Sequence, residues 1–206
     1  AAVDPRFGKV GKQTIEDKGL LGAKRQETFD DEVLAAASDW LKRAKDADEP
    51  FFLWFAPVAM HQQIHVPPAY LGKSGHGIYA DGVLHMDDIV GKLLSELDAL
   101  DLADNTIVIF TSDNGPVWHP ADVARLGHDA VGGLRGMKAD AWEGGHRMPF
   151  IVRWPGRVKA GTVSDQTICF TDLLATFADI CRVKLPAGAG PDSFSFLPVL
   201  EGVQPA

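Results

Sequence analysis

Ser112-Asp113-Asn114-Gly115-Pro116 sets a carboxylate beside an amide oxygen, in a stretch whose composition is also that of an ordinary turn. Both are hard oxygen donors of the kind Ca²⁺ or Mg²⁺ takes, and a cation site would need at least two more from elsewhere. Leu134-Arg135-Gly136-Met137-Lys138-Ala139-Asp140-Ala141-Trp142-Glu143-Gly144-Gly145-His146-Arg147 combines three glycines with four basic side chains. Glycine lets a backbone approach a ligand closely. Such a local excess of positive charge suits a sulfate or phosphate oxyanion, and suits a solvated basic loop equally well. Between Ala56 and Pro68 lie His61 and His65. Histidine is the side chain most easily poised for proton transfer near neutrality, though a single histidine is more often a structural or surface residue.

The elements that would position these clusters can be read from hydrophobic periodicity. A helix is expected from Thr28, where Thr28 and Asp31 resemble a capping box and Asp30, Asp31 and Glu32 suit the positive end of the dipole. Val33, Ala37, Trp40, Leu41 and Ala44 then recur at helical spacing, and Pro50 stops the run. Tyr79, Val83, Met86, Val90, Leu93, Leu97 and Leu100 mark a longer helix, and Leu174, Phe177, Ala178 and Cys181 a third over Thr171 to Cys181. Phe51–Phe55, Thr106–Thr111 and Phe150–Trp154 are apolar runs of strand length. Ala1 to Gln26, polar and mixed in charge, reads as a loop or an arm. Helices alternating with wholly apolar strands predict an α/β fold, a largely parallel sheet covered by helices on both faces. Sheets of this kind bind ligands beyond the carboxyl ends of their strands, which directs attention to the residues after Phe55 and after Phe110.

Composition narrows the class. The chain has 206 residues, 46% apolar and 23% charged, with a formal net charge of −8. It is long enough to bury a core without staples. The acidic balance argues against a nucleic-acid partner, whose phosphates require a basic footprint. No apolar run reaches the length of a transmembrane helix. Cys169 and Cys181 stand without partners at metal-ligand spacing and are expected to be two buried thiols, with one disulfide between them the alternative.

Taken in order, the clusters resemble the type I sulfatases of the alkaline phosphatase superfamily. The likeness runs through Val10-Gly11-Lys12-Gln13, the apolar run with its histidine loop, Gly72 to Gly82, Asp104 to Gly115, Leu134 to Arg147, Trp154-Pro155-Gly156 and Ser193 to Pro198. It implies that Asp113 and Asn114 are two ligands of a divalent cation, usually calcium, with magnesium the alternative. It implies that Lys138 holds a sulfate oxygen near the leaving group, and that His61 contacts the sulfate and assists departure of the alcohol. His61 is preferred to His65 because ten residues separate it from the Gly72-Lys73-Ser74 segment, the family's spacing, against six for His65. Glu143 and Arg147 are expected to brace the loop. Trp118 and His119 are assigned no role, and His76, His85 and His128 are read as ordinary structural or surface residues.

The resemblance also implies a nucleophile, a Cys or Ser in a Cys/Ser-x-Pro-x-Arg motif oxidised to formylglycine. Its hydrated aldehyde attacks sulfur, and elimination from the sulfated hydrate regenerates the aldehyde. Neither cysteine and no serine of this chain stands in such a motif, and the family's paired amino-terminal aspartates are not identifiable. The expectation is therefore a central to carboxy-terminal part of a sulfatase catalytic domain, residues 1–206, without the nucleophile-bearing amino-terminal part. Alone it should turn over negligibly, since the covalent route itself is missing. The function expected of the full-length protein is hydrolysis of a sulfate monoester, on a sulfated small molecule or glycan, in the periplasm or outside the cell. Two other readings stay open. One is a phosphomonoester or phosphodiester hydrolase of the same superfamily. The other is a non-catalytic sulfated-glycan binding pseudoenzyme. Oligomeric state is not legible.

Overall fold

The computed structural model describes residues 3–4, 8–9, 17–61 and 63–203, and Val10-Gly11-Lys12-Gln13 lies outside them. The chain divides into two compact units, Ala1–Ala44 with Glu49–Leu93, and Lys45–Asp48 with Leu94–Ala206.

In the first unit the stretch read as a loop contains short elements. Strand β1 (Val3–Asp4) pairs antiparallel with β2 (Gly8–Lys9), and helix α1 covers Ala23–Gln26. Pairing so local costs little loop-closure entropy, and so needs no apolar run to announce it. Helix α2 (Phe29–Ala47) and helix α3 (Ile78–Ala99) fall where the periodicity places them. Leu41 of α2 and Ile89 of α3 are wholly buried, with Ala37, Ala59 and Val66 nearly so. Asp30 does more than face the dipole. It is 2% exposed, and its carboxylate accepts the backbone N–H groups of Val58 (2.8 Å) and Ala59 (2.7 Å), anchoring the segment that leads to His61.

Phe51–Phe55 departs from expectation. It is not a strand, and Phe52 (67% exposed) and Trp54 (76%) face outward while Phe51, Leu53 and Phe55 are half-buried. A strand buried on both faces needs neighbouring strands to bond it, and among the described residues neither ladder includes this run.

Asp81, at the start of α3, fixes the Gly72–Gly77 turn by accepting the N–H groups of Gly72 (2.8 Å) and Ser74 (2.9 Å). Hydrogen bonding from the Ser74 side chain, then from these backbone groups, holds its carboxyl below the usual carboxylate range. A carboxylate with a depressed folded pKa stabilises the fold fully above its unfolded value of about 4, and this contribution disappears as pH falls through the folded value. Asp81→Asn should therefore flatten the acid limb of a plot of urea midpoint against pH, while lowering the midpoint at pH 7.

In the second unit a 3₁₀ turn, Ala103–Asn105, leads into strand β3 (Val108–Thr111), which pairs with β4 (Phe150–Arg153). The pair is antiparallel, which corrects the expectation of parallel strands at this point. Register explains it, since Thr111 lies opposite Phe150 and Val108 opposite Arg153. The connection thus leaves and re-enters at one end, with no helix crossing the sheet. Helix α4 covers Pro120–Leu126, α5 Glu143–His146, α6 Asp172–Ile180 and α7 Leu197–Leu200. Thr176, 1% exposed, ties α6 to the next segment: its hydroxyl donates to the Asp172 carbonyl and accepts the Phe196 N–H. Phe196 packs edge-on against Phe150 of β4, 5.6 Å between ring centres.

Cys169 and Cys181 are both exposed and free, not buried. Helix α6 stops at Ile180, so Cys181 falls past the apolar face that periodicity assigned to it. No helix among the described residues is long and apolar enough to cross a membrane.

Candidate active site

The register of β3 and β4 delivers the two clusters of the second unit to one place. Ser112–Pro116 leaves the last residue of β3, and Arg147 lies three residues before the start of β4. The Thr111 hydroxyl donates to the Pro149 carbonyl at 2.8 Å and closes the base of the connection. Three backbone hydrogen bonds then stitch its arms together. Gly115 N–H donates to the Gly145 carbonyl (2.8 Å), Lys138 N–H to the Pro116 carbonyl (2.9 Å) and Gly144 N–H to the Arg135 carbonyl (2.8 Å).

The glycines are required by this approach. A Cβ on Gly115 would lie 2.0 Å from the Gly144 carbonyl oxygen, and one on Gly145 would lie 2.0 Å from that of Asp140. Backbone pairs this close leave no room for any side chain.

Asp113 is exposed and Asn114 half-buried. The Asn114 amide nitrogen donates to the Gly115 carbonyl (2.9 Å), which leaves the amide oxygen as the atom able to face a cation. These two oxygens fit a hard divalent ion such as Ca²⁺ or Mg²⁺, but supply only two of the six to eight ligands that calcium takes. Among the described residues no group of three or more His, Cys, Asp or Glu side chains could hold a metal.

Lys138 is half-buried and sits in a tight turn. Met137 N–H donates to the Asp140 carboxylate (3.0 Å), and Asp140 N–H to the Met137 carbonyl (2.9 Å), so that Lys138 and Ala139 occupy the tip. Ala139 has φ +77°, a left-handed conformation that costs a residue with a Cβ about 1–2 kcal/mol. Among the described residues no carboxylate lies within ion-pair distance of the Lys138 ammonium.

Arg135 does not stand out as a free cation. Its guanidinium lies 3.5 Å from the centre of the Trp142 ring, a stacked arrangement worth about 0.5–1 kcal/mol at an exposed site. Sequence reading counted Arg135 only with the local positive charge and gave Trp142 no role. The available signal was an arginine and an aromatic residue bracketing the lysine turn. Glu143 and Arg147 form the expected brace across one turn of α5, but at 3.6 Å and well exposed the pair contributes little. Trp118 is buried, and its indole N–H donates to the His128 carbonyl (2.8 Å), so both fasten the connection.

His61 belongs to the first unit. Its backbone N–H donates to the Val58 carbonyl (2.9 Å) and its side chain is exposed, whereas His65 is half-buried. His85, read as ordinary, is buried at 2% exposure. Its Nε2 lies 3.4 Å from an Asp31 carboxylate oxygen, and its ring packs against Tyr70.

Comparison with known proteins gives a consistent result. The family model described as Sulfatase matches residues 6–183. An N-acetylgalactosamine-6-O-sulfatase of Bacteroides thetaiotaomicron is 43% identical over 166 residues, covering 75% of this chain and 31% of that protein. A steryl-sulfatase of Rattus norvegicus is 38% identical over 199 residues, covering 94% of this chain and 32% of its own. Among solved structures, the PsFucS1 sulfatase from Pseudoalteromonas sp. superposes with a TM-score of 0.78 at 26% identity, over 92% of this chain and 37% of that one. The chain therefore spans about a third of the length of the relatives it matches. Over that third, the match takes in both halves of the connection between β3 and β4, and the chain belongs to the sulfatase family.

Proposed function

We propose that the protein of which these residues form a part hydrolyses sulfate monoesters of a sulfated glycan or small molecule. The observation that carries this reading is the hydrogen bond from Lys138 N–H to the Pro116 carbonyl, which seats a basic side chain beside the turn bearing Asp113 and Asn114. A cation site next to an ammonium is what a tetrahedral dianionic or monoanionic oxyacid group requires.

In this reading Asp113 and Asn114 hold a calcium ion together with ligands from outside these residues. The chemistry such an ion supplies is positive charge against sulfate oxygens. Lys138 donates from its ammonium to a sulfate oxygen near the leaving group, where negative charge builds as the S–O bond lengthens. His61 gives a proton to the ester oxygen as that bond breaks, so that the alcohol departs neutral. Its part rests on the spacing to Gly72-Lys73-Ser74 alone. The attacking oxygen is expected from a formylglycine hydrate elsewhere in the polypeptide, since neither Cys169 nor Cys181 stands in the motif that matures. We place β3 and β4 in a largely parallel, helix-covered sheet of the whole protein, with β4 its antiparallel member. We place that protein in the periplasm or outside the cell. The names of the relatives favour a sulfated amino sugar over other sulfate esters.

The test begins with the reading frame upstream of Ala1. A pair of aspartates followed by Cys/Ser-x-Pro-x-Arg is expected there, and the matured full-length protein should release sulfate from an aryl sulfate or a 6-sulfated N-acetylgalactosamine in the presence of calcium. Chelation should abolish turnover, and the 206-residue chain alone should show none. Preferred hydrolysis of phosphate esters would overturn the reading in favour of a phosphatase. Binding of a sulfated glycan without turnover, by a full-length protein lacking the motif, would identify a pseudoenzyme.

A further inference from the structure

We propose that Arg135 and Trp142 are positioning residues that together hold the Lys138 ammonium in its working place, an inference that rests on reading Lys138 as the sulfate-binding lysine. The arc from Arg135 to Trp142 is closed at its mouth in two ways. The Arg135 guanidinium lies over the Trp142 ring, its Cζ 3.5 Å from the ring centre, and Gly144 N–H, two residues past Trp142, donates to the Arg135 carbonyl. Within the arc the Met137–Asp140 turn carries Lys138 at its tip, and Ala139 is held there at φ +77°. A turn containing a residue in that region persists only when its surroundings over-determine it.

Gly136 supplies the passage. A Cβ there would meet the Trp142 Cβ at 2.9 Å and the Asp140 Cβ at 3.0 Å, so Trp142 and Asp140 both close on Gly136, the residue that leads into the strained turn. The arginine end of the arc and the tryptophan end are thus held together, with the lysine turn between them. Arginine suits this position because its planar cation stacks on an aromatic face, which an ammonium does not. The stack is exposed and too weak to decide whether the protein folds. It is strong enough to decide where a side chain at the tip of an eight-residue arc points. Misplacing a reacting group by about 1 Å can cost about 100-fold in rate.

The experiment uses the full-length, matured enzyme and measures kcat, KM and thermal midpoint on an aryl sulfate. The variants are Trp142→Ala, Trp142→Phe, Arg135→Gln, Lys138→Ala and the double variant Trp142→Ala with Lys138→Ala. Trp142→Ala and Arg135→Gln should each lower kcat by about two- to fivefold, the population of the working position that a contact of this strength controls, with KM essentially unchanged. Trp142→Phe, which keeps a stacking face, should recover most of the loss. In the Lys138→Ala background, Trp142→Ala should cost nothing further, because the group it positions is gone. That last readout separates positioning from stability, since a merely structural residue would lower activity in either background. The proposal is overturned if Trp142→Ala and Arg135→Gln keep wild-type kcat, or if the Trp142→Ala loss persists in the Lys138→Ala background. Should Trp142→Ala fail to fold, the exposed Arg135→Gln change, made in both backgrounds, carries the same comparison. Failure of the functional reading looks different: the wild-type enzyme releases no sulfate, or Lys138→Ala costs nothing, and the positioning role falls with it.

Discussion

Lys138→Ala lowers kcat/KM of the full-length, matured enzyme by about 10²–10³-fold, the usual cost of removing one donor to charge that develops in a transition state, about 3–4 kcal/mol. Folding should be almost untouched. What seats Lys138 is its backbone N–H on the Pro116 carbonyl, and alanine keeps that bond. Nor does the change strand a buried carboxylate, since none among the described residues pairs with the ammonium. The thermal midpoint should accordingly stay within about 3 °C of wild type. Lys138→Arg should recover little activity. The position is half-buried, and a planar guanidinium presents its donors along different directions from a compact ammonium. Steady-state kinetics on an aryl sulfate, with circular dichroism as the folding control, decides the matter. If kcat/KM falls by less than threefold, Lys138 is not the sulfate-binding lysine and the anion must be held by other groups of the cluster.

How much of this arrangement was legible depends on how local the determining interactions are. Helices α2 and α3 were, because Ala37 and Leu41, or Leu97, recur at a spacing contained in the helix itself. The wholly buried Ile89 nonetheless stood outside the periodic set of α3, and Val83, counted in it, is exposed. The turn after β3 and the lysine cluster were legible as separate segments, but not the Lys138 N–H to Pro116 bond that joins them. Strand pairing was not. Nothing within Thr106–Thr111 or Phe150–Trp154 records that Thr111 will lie opposite Phe150, and direction and register follow from that pairing. Phe51–Phe55 has a strand's composition but no ladder among the described residues, since composition states a preference and partners realise it. Asp30 illustrates the same limit in a side chain. Its helix-starting position was readable, whereas its two bonds to Val58 and Ala59 join residues 28 and 29 apart in sequence. The partner of Arg135 was not legible for a related reason. Counted as charge it suits an anion, and only the fold reveals the Trp142 ring beneath it.

The largest effect on stability is expected from a single methyl group. Gly145→Ala should lower the unfolding free energy by about 4 kcal/mol or more, or prevent folding of this region, as overpacking does when nothing can relax. Its Cβ would sit 2.0 Å from the Asp140 carbonyl oxygen and 2.8 Å from that of Met137. Both are backbone atoms, so no side chain can swing aside, and relief requires the Met137–Asp140 turn to move. That turn carries Lys138, and the Gly145 carbonyl is also the acceptor for Gly115 N–H. A shift large enough to admit the methyl group therefore separates the lysine from the turn of Asp113 and Asn114. Gly91→Ala is the contrasting case. It lies inside α3 with nothing within 4 Å of an added Cβ, and its φ is not left-handed. There the substitution should raise stability by about 0.5–1 kcal/mol through helix propensity alone. Urea midpoints of the two variants should consequently move in opposite directions from wild type. If Gly145→Ala unfolds at the wild-type midpoint, the close approach of the two loops is not what holds this end of the β3–β4 ladder. The lysine would then have to be seated by the Arg135–Trp142 stack and the Pro116 hydrogen bond without the glycine contact.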